Sequence, residues 1–173
     1  MPVRVQESTV SLKDRWHSGE RWVQDQIHVR EAVEGASAIF RPYLTTQMQE
    51  FVPGLEYMFF GTLDSQGRPW VSILTGAKGF MKSPHEKILE VVVAGKKDVE
   101  QEGVYDPLFS NLLNGESFAH GEKTMWSGVA LDFSNRRRNK MNGVLYKDDI
   151  LAADEKTGEL HVQLTVEQAI GKL

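Results

Sequence analysis

Two apolar runs, EYMFFGTL (56–63) and WVSILTG (70–76), flank the short stretch DSQGRP, and this arrangement constrains the chain more than any other segment. Aromatic and β-branched residues on both sides of a Gly- and Pro-containing turn predict two adjacent antiparallel strands. Further strands are expected at KILEVVVAG (87–95), MWSGVALDF (125–133), KMNGVLY (140–146) and ELHVQLTV (159–166), the last after a DEKTGE turn. Six strands with short turns predict a mainly β fold, a closed or nearly closed antiparallel barrel. Ahead of them, residues 14–52 read as helical: Trp22, Val23, Ile27 and Val33 fall near helical spacing, and Thr45 or Thr46 can cap the stretch TTQMQEF. Pro53 and Gly54 end that pattern. Asp106 and Pro107 predict the start of a short helix in DPLFSNLLNG, and the charged stretch GKKDVEQEG (95–103) is expected to be a mobile loop. The expected organisation is one domain over 1–173, with a helical segment at about 14–52 and a barrel at about 56–166.

Composition narrows the function classes. The chain has 173 residues, 20 Lys plus Arg against 24 Asp plus Glu, and a net charge of −4. That length is enough for a real core. Binding to nucleic acid through its backbone needs a broad basic surface, which an acidic chain with one basic run does not offer, so no nucleic-acid partner is expected. The absence of cysteine excludes disulfides, thiolate metal sites and cysteine nucleophiles, and it suits a reducing cytoplasm. No stretch approaches the length of apolar sequence needed to span a bilayer, and MPVRVQESTVSLKDR lacks an apolar signal core. A cytoplasmic protein without a membrane partner is expected. The histidines at 17, 28, 85, 120 and 161 show no i, i+4 pairing, so no metal site is expected. No Ser-His-Asp arrangement, dinucleotide fingerprint or Walker loop is present, and no catalytic residue is assigned.

The stretch DFSNRRRNKMNGVLY (132–146) concentrates three arginines and a lysine in five positions. Three readings compete: a nucleic-acid or targeting patch, a solvated strand or turn, and a pocket for one small anion. Arginine presents a planar fork of donors that matches a phosphate bidentately, which favours the pocket. If the run is a strand, alternation puts Arg136, Arg138 and Lys140 on one face and Arg137 with Asn139 on the other.

The order of motifs resembles the FMN-binding split β-barrels related to pyridoxamine 5′-phosphate oxidase. More narrowly, it is similar to a branch marked by HSGE (17–20), DSQGRPWVS (64–72), GFMKSP (79–84), DPLFSNL (106–112) and RRRNKMNG (136–143). These motifs cover nearly the whole chain in the family's order. The resemblance implies a six-stranded antiparallel split barrel with N-terminal helices, and a homodimer with FMN at the subunit interface. Apolar strands such as EVVV and EYMFF, which need covering on both faces, independently predict an obligate dimer. Relatives in this branch often continue into a ferredoxin-reductase-like region beginning near a Gly-Asn-Cys-Pro stretch, whereas this chain ends at VEQAIGKL.

The resemblance also implies cofactor contacts. In the family, hydroxyls and backbone amides of the second hairpin strand edge the flavin or its phosphate, which makes Pro69, Trp70, Val71, Ser72 and Thr75 candidates. Pro69 and Gly67 equally serve turn geometry, and Trp70 reads as a core or dimer contact ahead of a flavin-stacking residue. The oxidase itself has an arginine where Ser72 stands here, which weakens pyridoxamine phosphate as a substrate; Lys78 is the candidate replacement charge, with an exposed loop lysine as the alternative. Asn111 near the short helix is a further candidate, beside Arg136, Arg138, Asn139 and Lys140. In HSGE, Ser18 is the expected helix cap, with Glu20 in the first turn. The implied activity is an FMN oxidoreductase moving electrons from a reduced nicotinamide or deazaflavin to a small acceptor. The alternative is a non-catalytic flavin-binding or dimerisation module, possible as one domain of a longer redox protein.

Overall fold

The computed structural model describes residues 16–36, 39–93, 112, 118, 121–151 and 159–171. The chain divides into two compact units, Met1–Phe40 and Arg41–Leu173. The first holds helices α1 (Ser18–Gln26) and α2 (Arg30–Ala36). His17, not Ser18, caps α1: its Nδ1 accepts from the backbone N–H of Gly19 (3.0 Å) and Glu20 (3.3 Å), while the Glu20 carboxylate accepts from the His17 N–H (2.9 Å). An imidazole nitrogen thus fills the role usually played by a hydroxyl in a capping box. Arg30 pairs with Asp25 and donates to the Arg21 carbonyl, tying α2 back to α1. A short strand, β1 (Phe40–Arg41), spans the boundary along the chain.

The second unit opens with α3 (Thr46–Phe51), capped by the Thr45 hydroxyl and extended by a 3₁₀ turn over Val52–Gly54. Strands β2 (Tyr57–Leu63), β3 (Pro69–Thr75), β4 (Met81–His85), β5 (Ile88–Val93), β6 (Lys123–Asp132), β7 (Arg137–Tyr146), β8 (Ile150–Leu151) and β9 (Leu160–Gly171) follow. They pair antiparallel in the order β3-β2-β6-β7-β9-β5-β4, with β8 on β9. The expected mainly β fold is found, but the sheet does not close: β3 and β4 are its two ends. β4 was not expected, because Lys82, Ser83 and Pro84 break the apolar alternation; such a strand is tolerated at an edge, where a proline costs no ladder bond. The expected short helix in DPLFSNLLNG (except Leu112), the 95–103 stretch and most of the DEKTGE turn lie outside the described residues.

Alternation decides what is buried. In β2, Met58, Phe60 and Thr62 point to the core, and in β6 Thr124, Trp126, Gly128 and Ala130 do so. The Trp126 ring stacks on Phe60 with centroids 5.9 Å apart and an interplanar angle of 13°, and its indole N–H donates to the Thr165 carbonyl at 2.9 Å. Burying the largest aromatic side chain with its polar atom satisfied fixes β6 against β9. The opposite face of β3 and β6 is apolar yet open: Val71 is 71% exposed, Ile73 57% and Met125 66%.

Candidate functional site

The β2–β3 hairpin is the best-defined local structure. Asp64 and Arg68 close a three-residue loop: the Asp64 N–H donates to the Arg68 carbonyl (3.0 Å), and the Gly67 N–H donates to the Asp64 carbonyl (2.9 Å). Gly67 takes φ 75°, the left-handed conformation that such a loop needs and a side chain resists. The Asp64 carboxylate, 7% exposed, accepts four hydrogen bonds. Oδ1 takes the backbone N–H of Gln66 and Arg68, both at 2.9 Å. Oδ2 takes Arg68 Nε at 2.7 Å and Trp70 Nε1 at 3.0 Å. These donors, the indole first and then the Arg68 and Gln66 groups, outweigh burial and hold the Asp64 carboxyl well below the usual carboxylate range.

Register then separates the candidates on β3. The Gly76 N–H donates to the Glu56 carbonyl at 3.0 Å, which with the Asp64–Arg68 pair makes the even-numbered residues of β3 the ones hydrogen-bonded to β2. The backbone groups of Val71, Ile73 and Thr75 therefore point away from β2, along an end of the sheet where no further strand lies among the described residues. Their side chains lie on the open apolar face. Ser72 is buried on the core face opposite Phe60, Pro69 is exposed at the strand start, and Trp70 is partly exposed with its indole on Asp64. Lys78 is exposed in the turn between β3 and β4.

The basic run is split by a turn. Ser134 donates to Asp132 through both its N–H (2.9 Å) and its hydroxyl (2.6 Å), and the Asn135 amide does so at 2.8 Å, with the Ser134 hydroxyl the main cause of a lowered Asp132 pKa. Arg136 sits in this turn at φ 60°, so it is not a strand residue and does not share the strand face of Arg138, contrary to simple alternation from residue 136. The Arg137 guanidinium lies 4.7 Å from the centroid of the Phe51 ring. Asn139 is buried on the same face of β7 as Arg137. Arg138 and Lys140 are exposed on the opposite face. Cross-strand pairing links Lys140 to Val129, Val129 to Phe59 and Phe59 to Ile73, so this cationic pair shares the open face with β3. Three strand spacings put about 14 Å between Lys140 and Ile73. Near the β6–β7 turn, the exposed Phe133 ring stacks on Tyr57 at 5.5 Å.

The structure thus brings Val71, Thr75, Arg138 and Lys140 to one face, and places Ser72 and Asn139 on core faces. Asn111 lies outside the described residues. Sequence reasoning passed over Asp64; the signal was its position four residues before Arg68 and six before Trp70 in DSQGRPW. A separate groove of about 210 Å³ on β4, β5 and β9 is lined by Phe80, His161 and the Lys82–Glu90 ion pair (3.0 Å), and contains none of the candidates. Among the described residues, no cluster of three His, Cys, Asp or Glu could hold a metal, and no helix is long and apolar enough to cross a membrane.

No protein-family model matches the chain, and no curated protein matches it at a significant level. Solved structures do. A protein of Lactobacillus delbrueckii provisionally assigned as a pyridoxamine 5′-phosphate oxidase superposes with a TM-score of 0.50 at 15% identity, covering 75% of this chain and 95% of its own. Looser superpositions join an F420 reductase (TM-score 0.41, 11% identity, 70% of this chain and 94% of its own) and the HupZ protein of group A Streptococcus (0.42, 11%, 75% and 99%). With its antiparallel sheet open between β3 and β4, the chain shares the split-barrel fold of the Lactobacillus structure.

Proposed function

We propose that the chain is an FMN-binding oxidoreductase that works as a homodimer. The observation that carries this reading is the free edge of β3. Backbone amides of Val71, Ile73 and Thr75 point off the sheet beside an open apolar face, and Arg138 and Lys140 stand on that same face. A planar heteroaromatic ring with carbonyl and nitrogen acceptors fits a row of unpaired strand amides backed by apolar side chains. A phosphate fits a guanidinium and an ammonium on one strand.

FMN, when bound, supplies the ability to accept a hydride and release electrons to a small acceptor. The chain's own contribution is binding and orientation. The β3 edge would hold the ring through main-chain donors, and the Thr75 hydroxyl adds a polar group at its far end. Arg138 and Lys140 would bind the phosphate, with Lys78 and Arg136 as exposed charges nearby in sequence to each segment. A second copy placed over Val71, Ile73 and Met125 would cover the open apolar face and exclude water from the ring. The donor proposed is a reduced nicotinamide or deazaflavin.

Titration of the purified chain with FMN, read by quenching of flavin fluorescence, tests the reading. Saturable binding, followed by bleaching of the flavin's visible absorption on adding NADPH or a reduced deazaflavin, is the expected outcome. Binding without bleaching by either donor would leave a non-catalytic flavin module, and absence of FMN binding by folded protein would refute the proposal.

A further inference from the structure

The Asp64 carboxylate does more than close a turn. Two of its four hydrogen bonds, from the N–H groups of Gln66 and Arg68, belong to the loop backbone, and a third comes from the Arg68 side chain. The fourth reaches past the loop to the Trp70 indole. Thr62, directly across the ladder from Trp70, is buried, and its hydroxyl makes no hydrogen bond, so it does not help to hold the ring. The indole N–H therefore has one acceptor, and that acceptor is itself immobilised by the loop. Trp70 is also the residue immediately before Val71, whose amide is the first of the edge donors. The Trp70 side chain shares the parity of Ser72 and lies on the face opposite Val71, so a ring pinned there acts on the edge through the pitch of the backbone leading into it.

We infer that Asp64 is a positioning residue that, by pinning the Trp70 indole, sets the pitch of the β3 backbone whose amides from Val71 onward would orient a planar ring bound at that edge. This rests on the flavin-site reading above and adds to it a residue that touches no ligand. An aspartate is suited to the task because both oxygens can be filled by donors at once, one by the backbone and one by the indole and guanidinium. Asparagine would keep the shape but offer an amide group where one of those acceptors stands.

The test uses the full chain with two variants, Asp64→Asn and Trp70→Phe, and the double variant. In flavin-free protein, near-ultraviolet circular dichroism and tryptophan emission should lose the contribution of Trp70 in Trp70→Phe, and Asp64→Asn should change that same contribution. FMN and riboflavin affinities should both fall by the same factor, about three- to tenfold for one lost hydrogen bond, because the β3 amides act on the ring and not on the phosphate. The double variant should bind no more weakly than the weaker single one. A merely structural effect on the fold would lower thermal stability without this equal loss for the two flavins. An unchanged Trp70 signal in Asp64→Asn would overturn the lock, and a changed signal with unaltered flavin affinities would overturn the positioning role. If the wild-type chain binds neither flavin, the proposed function fails, while the tryptophan signals still decide whether Asp64 holds the ring. Should Asp64→Asn not fold, Trp70→Phe retains the loop's own three bonds and must show the equal loss of FMN and riboflavin by itself.

Discussion

Gly143→Ala tests the core of the barrel where β7 meets β9. Gly143 pairs with Trp126 on one side and Val166 on the other, next to a shift of register between Asn142 and Gly143. A Cβ at this position would lie 2.0 Å from the Thr165 carbonyl oxygen and 2.9 Å from the Glu167 backbone nitrogen. Both obstacles are main chain, so no rotamer relieves them; β9 must retreat by more than an ångström to reach ordinary contact. The Thr165 carbonyl is also the acceptor of the Trp126 indole, so its displacement strands a buried N–H. Overpacking costs about 1–3 kcal/mol and an unpaired buried donor about 1–3 kcal/mol more. The sum, about 2–6 kcal/mol, is a large share of the roughly 5–15 kcal/mol that holds a domain together. At about 2–4 °C per kcal/mol for a domain of this size, the melting temperature should fall by roughly 4–24 °C. Gly54→Ala, where an added Cβ meets nothing within 4 Å, is the matched control and should melt like the wild type. Thermal melts followed by circular dichroism decide the matter: if Gly143→Ala melts within about 2 °C of the control, the clash and the register that produces it are wrong.

Other perturbations address the site. Replacing Arg138 and Lys140 together by Ala should cost about 3 kcal/mol of FMN affinity, the low end for two charge-assisted contacts because both side chains are exposed, or roughly 150-fold in Kd. Riboflavin titrated against the same variant should be nearly unaffected, and equal losses for the two flavins would move the phosphate elsewhere. Arg137→Ala should leave FMN affinity intact and cost about 0.5–1 kcal/mol of stability through the lost Phe51 contact, measured by urea denaturation. Ile73→Glu should convert the proposed dimer to a particle of 19.6 kDa by light scattering; a wild-type chain already of that mass would remove the dimer from the proposal. Asp64 has a folded pKa below its unfolded one, so its stabilising effect is complete above the ordinary carboxylate pKa of about 3.9 and is lost as pH falls further. The difference in melting temperature between wild type and Asp64→Asn should accordingly be constant from neutral pH down to that value and shrink below it.

The hairpin was legible because its information is local: Gly67 and Pro69 between two apolar runs specify a turn whatever surrounds it. Strand β9 runs five residues beyond its expected end at 166, to Gly171, because pairing with β7 extends it through a segment whose own pattern, EQAIG, is not strand-like. β4 escaped notice for the same reason, its Pro84 and Lys82 being acceptable only because the strand is an edge. His17 was overlooked as a cap because preferences favour Ser at that position, although any acceptor in reach of the N2 and N3 amides serves. At the candidate site, residue type and alternation placed Val71, Thr75, Arg138 and Lys140 within a short list. They could not show that Ser72 faces the core, since that depends on which of the two faces of β3 packs on the rest of the sheet.

The basic run illustrates how a local turn redistributes charge that looks collective in the sequence. Asp132 and Asn135 organise a turn, the Asn135 side chain accepts from the Arg137 N–H at 2.9 Å, and β7 starts only there. One residue of turn in place of strand separates three consecutive arginines into three environments: a left-handed turn position, a ring contact on Phe51, and an open strand face shared with Lys140. Self-repulsion among the three is thereby reduced, and Arg137 also faces Asp132 across the ladder, whose carboxylate it helps to hold ionised. A nucleic-acid surface would gain nothing from this dispersal, because affinity there grows with the number of cations presented together. A ligand with one phosphate held apart from a planar ring by a flexible chain asks for less: two cations on one face, about 14 Å along the ladder from a row of free amides. That economy is the physical reason for preferring a single small anion, and the FMN and riboflavin titrations on the Arg138 and Lys140 variant read it directly.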